Sequence, residues 1–229
     1  MKKFLLTLVI LLLGCCGYCE TVQFESNVTM DNFWQKTGKD YQKVLLVSRK
    51  LMHDNSLKRA SVFLLKKPNV VNAYSKRQSK EIYITTGFLP YINNDDELAA
   101  VLAHELAHTQ EAYDGTIKLM AMSFNSKKYE YKADMKAVEY MVKSGYNPIA
   151  AITIGNKVFS EPLWDWGVSY THPRGSKRLV EIYKYIYKKY PAYLNSDMVK
   201  SVIYQDFLQQ NKKELDAFYQ KQAKKSKFL

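Results

Sequence analysis

The stretch from Asp95 to Gln110, DDELAAVLAHELAHTQ, constrains the fold more than any other. It is apolar around nearly its whole circumference, so as a helix it must be buried. Asn94 is placed to cap its N-terminus, and Glu97 takes the reciprocal position of a capping box. Ala99, Ala103 and Ala107 line one side with small residues, which allows a neighbouring helix close approach. Into this buried helix the chain puts His104, Glu105 and His108. Two imidazoles and a carboxylate are costly inside a core unless each finds strong partners. Histidines four apart sit about 40° apart around a helix and one turn along, so both rings reach one point in space. A single zinc ion would satisfy both rings, with Glu105 beside them. The expectation is therefore His104 and His108 as metal ligands.

A catalytic zinc site takes a third protein ligand and leaves one position open for water. The remaining carboxylates and His172 are the candidates. The segment from Ser126 to Lys143 reads as a second helix, ending at Gly145 in a C-cap. Its apolar stripe runs through positions 130, 133, 134, 137, 138 and 141. Ala133, Ala137, Val138 and Met141 fill it as expected, but Glu130 and Asp134 fall on it too. Two acids on a buried stripe need a purpose. Glu130 is assigned as the third ligand, and Asp134 as the outer acceptor that orients a metal-bound imidazole, that of His104.

The rest of the chain suggests an α+β domain, mostly helical, with a small antiparallel sheet ahead of the histidine-bearing helix. Residues 31–57 look helical in their middle. Ser61–Lys66, Val70–Ser75 and Glu81–Thr86 read as short strands separated by turns at Pro68-Asn69 and KRQSK. Asn147-Pro148 starts another helical piece, and 161–178 reads as loop. From Lys177 the chain reads as helical again, interrupted near Pro191, and ends in a solvated stretch, KQAKKSKFL; 211–229 is set apart as a basic C-terminal tail. Residues 1–14, MKKFLLTLVILLLG, have two lysines and a ten-residue apolar run. That run is too short to span a bilayer as a helix and fits an export signal. Leu12-Leu13-Gly14-Cys15 resembles a bacterial lipobox, with Cys15 as the lipidated residue, against the alternative of plain cleavage near Cys19. Residues 15–30 are then a linker and 31–210 the main domain. All three cysteines lie at or before position 19, so no disulfide framework and no thiol chemistry belong to the domain.

With these motifs in place, the chain resembles metallopeptidase family forty-eight, gluzincins that include the CAAX prenyl proteases and the BepA-like periplasmic proteases. His104–His108 followed by Glu130-Tyr131-Lys132-Ala133-Asp134 matches the paired zinc motifs. Asn72-Ala73-Tyr74, Tyr83–Leu89, Asp96–Leu102, and Thr171-His172-Pro173 with Arg178-Leu179 match its flanking segments. The resemblance implies a zincin-type peptidase domain with one zinc per subunit and Glu105 as general base. It implies that His172 stabilises the oxyanion or approaches the metal. Asn72 and the sheet edge are expected to bind substrate backbone by strand addition.

The expected function is a zinc endopeptidase of the cell envelope, exported to the periplasm and lipid-anchored, acting on unfolded or misassembled proteins. The alternative is a chaperone-like module that holds clients in the same cleft without cutting them. The formal net charge of +12 favours anionic neighbours such as lipid headgroups, acidic glycans or nucleic acid, and the basic tail is expected to face membrane or glycan anions. No groove interleaves cations with aromatics in sequence, so nucleic acid is not expected as a partner. Oligomeric state is not legible.

Overall fold

A computed structural model describes residues 30–114, 126–159 and 175–226. Among these residues the chain forms helix α1 (Met30–Asp54), strands β1 (Ser61–Leu65), β2 (Ala73–Lys76) and β3 (Glu81–Thr85), and helices α2 (Asp95–Glu111), α3 (Ser126–Lys143), α4 (Ala150–Phe159), α5 (Gly175–Lys189), α6 (Val202–Gln210) and α7 (Lys212–Ser226). This is the expected α+β arrangement, mostly helical, with the sheet preceding the histidine-bearing helix.

The sheet itself is mixed rather than antiparallel. Its order is β1-β3-β2, with β2 antiparallel to β3 as expected, but β1 parallel to β3. Strand β3 inserts between the other two, which puts both of its isoleucines, Ile82 and Ile84, fully inside the core. Short apolar runs specify burial but not which neighbour a strand takes, so the parallel pairing could not be read from composition. Strand β2 is left at an edge.

Helix α2 runs through the centre, packed by α1, α3, α4 and the inner face of the sheet. Leu98, Ala99, Leu102, Ala103, Leu106 and Ala107 are all buried, so its all-round apolarity is matched by all-round cover. The Asn94 side chain accepts from the Glu97 amide at 2.9 Å, and Glu97 returns a bond to the amide of Asn93, one residue before the cap, at 2.8 Å. Buried Glu97 is satisfied further by Lys157 of α4, at 2.7 Å from each oxygen, and by the Thr153 hydroxyl. This network fixes the start of α2 against α4. At the other end the Gln110 amide bonds both the N–H and C=O of Lys58, tying α2 to the entry of β1.

Helix α3 stops in a Schellman motif. Gly145 has φ +74°, its amide bonds Val142, and the next amide bonds Met141. Helix α5 approaches α4 closely because Gly155 has no side chain: a Cβ there would lie 2.4 Å from Leu179 Cδ2.

A second apolar cluster joins α5, α6 and α7 through Val180, Tyr183, Ile186, Phe207, Leu215 and Phe218. It reaches into the basic C-terminal segment, where residues 212–226 are helical and Leu215 and Phe218 are buried. Lysine-rich composition hid two apolar residues three apart, enough to seat one helical face. Among the described residues no helix is long and apolar enough to cross a membrane.

Candidate metal centre

Helices α2 and α3 lie side by side and bring His104, His108 and Glu130 together. One donor atom from each lies within 4.8 Å of the others. The two Nε2 atoms are 3.1 Å apart, His108 Nε2 is 3.2 Å from Glu130 Oε1, and His104 Nε2 is 3.4 Å from Glu130 Oε2. Ligands about 2.0–2.2 Å from a tetrahedral zinc stand roughly 3.3 Å from one another. The observed spacings have that size. The rings meet edge to face, with centroids 4.7 Å apart. Glu130 and His108 are almost fully buried, and His104 keeps a small opening, 14% of its side chain.

Asp134, one turn beyond Glu130, places Oδ1 3.0 Å from His104 Nδ1. Its other partner is Arg178 of α5, which donates from Nη2 and Nε at 2.6 and 2.8 Å. The same guanidinium reaches Glu130 Oε2 with Nη1 at 3.1 Å. Sequence reasoning did not single out Arg178 as a site residue. The available signal was Asp134 itself, since a buried acid needs a cation. Arg77, in the β2–β3 turn, lies 3.4 Å from His108 Nδ1.

The electrostatics favour a cation between the imidazoles. Burial opposes charge on His104, but its hydrogen bonds to Asp134 and Glu130 outweigh this and raise its pKa to about 10. His108 moves the other way, its burial outweighing the attraction of Glu130. Burial would neutralise Asp134 too, yet the charge and hydrogen bonds of Arg178 hold its carboxyl at about 2. Arg178 is pushed upward because Asp134 and Glu130 outweigh the cost of its burial. Three buried carboxylates (Glu105, Glu130, Asp134) outnumber the two guanidinium groups nearby, those of Arg178 and Arg77. The sign of that excess and the donor spacing both fit a zinc ion.

Glu105 is buried and, with His104, lines a cavity of about 90 Å³. Ala73 of β2, Ala100 and Val101 of α2, Ile154 and Val158 of α4 and Leu179 of α5 give it an apolar wall. The carbonyl of Asn72, immediately before β2, accepts from the Thr85 amide of β3, and the Asn72 amide donates to the Thr85 hydroxyl. Its side-chain oxygen is buried and has no hydrogen-bond partner among the described residues. His53 is an exposed helix residue beside Asp54. His172, Trp164, Trp166 and Cys15 lie outside the described residues.

A comparison with curated proteins finds no match. The family model described as Peptidase family M48 matches residues 42–123 and 111–186, more than half of the chain. That span holds the sheet, both helices of the candidate centre and Arg178. The chain belongs to peptidase family M48, a family of zinc metallopeptidases.

Proposed function

We propose that the chain is a zinc endopeptidase of the cell envelope that cuts extended segments of unfolded or misassembled proteins. The observation that carries this reading is the convergence of His104, His108 and Glu130 on one point, with Glu105 on the same turn of α2 facing a cavity. His104, His108 and Glu130 would hold one zinc ion. When bound, the ion supplies Lewis acidity toward the scissile carbonyl and brings the pKa of water toward about 7.

The chain's own residues do the rest. Glu105 accepts the proton of the attacking water on its carboxylate and delivers it to the leaving amine nitrogen. Asp134 takes the Nδ1 hydrogen of His104, so the ring presents Nε2 to the ligand cluster, and Arg178 keeps Asp134 ionised and in place. Edge strand β2 offers its outer backbone to an extended peptide, with the orphaned oxygen of Asn72 at its start. Ala73 belongs both to that edge and to the cavity wall, so a peptide on β2 passes Glu105 with an apolar side chain toward the cavity. His172, outside the described residues, is proposed to stabilise the oxyanion. Export and lipidation at Cys15 rest on the N-terminal sequence.

The Glu105→Gln variant tests the chemistry. It is expected to bind zinc as the parent does and to lose cleavage of denatured casein. Undiminished hydrolysis by this variant refutes Glu105 as the base. Retention of casein by the parent without new peptide ends refutes the peptidase reading in favour of a client-holding one.

A further inference from the structure

We propose that the outward face of the three-stranded sheet is a docking surface for an anionic lipid bilayer. Phe63, Tyr83 and Tyr74 are direct register partners across β1, β3 and β2. Their rings form a stacked ladder, with both neighbouring centroid pairs 5.1 Å apart and inclined by only 19° and 17°. All three are half-buried, and none belongs to either apolar core. The alternate positions Val62, Ile82, Ile84 and Ala73 point the other way, into the core shared with α1 and α2.

The charge around this ladder is mostly positive. Residues 58–80 contain seven Lys or Arg and no Asp or Glu, with Glu81 following at the start of β3. Lys58, Arg59, Lys66, Lys67 and Lys76 are exposed, and Val70 stands exposed in the β1–β2 connection. Lys76 lies over the Tyr83 ring, and Lys58 and Lys80 both lie over Tyr113. Arg77 turns inward to His108, and none of the other six forms an ion pair among the described residues. On the helices, by contrast, Lys43 pairs with Asp95, Lys50 with Asp54, Lys184 with Glu181 and Glu214, and Lys212 with Asp216. The positive field is thus concentrated on the sheet, where Glu81, bonded to the Tyr83 hydroxyl and acting on Lys76, offsets only part of it.

The ring geometry selects the partner. Bases and sugars stack on aromatic faces, but here the rings stack on one another across the strands and turn their edges outward. Ring edges flanked by lysines suit the headgroup layer, where amphipathic aromatics settle and cations meet lipid phosphates. A polybasic patch is also the second signal that a single lipid chain needs for stable anchoring. Because β2 is an edge strand, a peptide added to it would continue the sheet and lie along the bilayer surface. That consequence rests on the strand addition proposed above. The bilayer contact does not, so the two can fail separately.

The test is sedimentation of the full chain with vesicles of phosphatidylcholine alone or of phosphatidylcholine and phosphatidylglycerol. The ratio of the two partition coefficients removes any contribution of an N-terminal anchor common to both. The parent is expected to favour anionic vesicles by about tenfold or more at low salt, with the preference falling steeply as salt rises. The Lys58→Gln/Lys66→Gln/Lys67→Gln/Lys80→Gln variant should drop to within about twofold of neutral vesicles at an unchanged melting temperature. A control variant in α7, Lys213→Gln/Lys221→Gln/Lys224→Gln, should keep the preference. The proposal is overturned if the sheet variant keeps its preference, if the α7 control loses it, or if the parent ignores anionic vesicles while binding a polynucleotide through the same lysines.

Discussion

Arg178 holds Asp134 by both carboxylate oxygens, at 2.6 and 2.8 Å, and through it reaches the ring of His104, whose Nδ1 lies 3.0 Å from Asp134. A residue of α5 thereby sets the orientation of a ring on α2. The forked guanidinium gives this grip its geometry, which a point charge cannot reproduce. Arg178→Lys is expected to weaken zinc binding about 10–100-fold while leaving the fold intact. Competition against a chromophoric chelator measures it, and an unchanged affinity contradicts the orienting role.

Asp134→Asn removes the charge but keeps the shape. It leaves the buried Arg178 with Glu130 as its remaining ion-pair partner and Glu105 as a further nearby carboxylate. Breaking one side of such a buried pair costs about 3–5 kcal/mol, so a clear fall in melting temperature is expected together with weaker zinc binding. Differential scanning calorimetry of the zinc-loaded and chelated forms separates the two effects.

Gly155→Ala tests how α4 seats α5. The added Cβ would lie 2.4 Å from Leu179 Cδ2 and 3.2 Å from Phe159 Cε2. Overpacking of this kind costs up to about 1–3 kcal/mol, since the tip of Leu179 must give way inside the core. Chemical denaturation reads the stability loss, and a variant as stable as the parent contradicts the close approach.

Glu139 gives a pH dependence away from the metal centre. Its carboxyl is held at about 2, because hydrogen bonds from Lys136, Tyr185 and Lys189 outweigh its partial burial. A folded pKa below the ordinary value of 4.5 stabilises the fold fully above that value, and the contribution is lost as pH falls toward 2. Glu139→Gln should therefore be less stable than the parent at pH 7, with a gap that narrows between pH 4.5 and pH 3. Denaturant titrations at several pH values check the sign.

The helices were the legible part of this chain. Asn94 and Gly145 mark the start of α2 and the end of α3, and long periodic segments leave little freedom in which face is buried. Two acids on the α3 stripe were visible as a cost needing a partner, and the structure brings both to the imidazole pair. Arg178 was not legible as part of the centre, since its reach depends on α4 and α5 meeting at Gly155, a tertiary fact. The parallel β1–β3 pairing was hidden for the same reason. The burial of Leu215 and Phe218 depends on the aromatic surface of α5, which nothing near them in sequence announces.

The central claim is that His104, His108 and Glu130 hold one zinc ion. Metal content and X-ray absorption at the zinc edge test it on purified protein after dialysis against a weak chelator. The account predicts one zinc per chain with imidazole nitrogen and carboxylate oxygen neighbours, kept in Glu105→Gln and lost in Glu130→Gln. A parent chain that retains no zinc, or a Glu130→Gln variant that binds it as tightly as the parent, contradicts the claim.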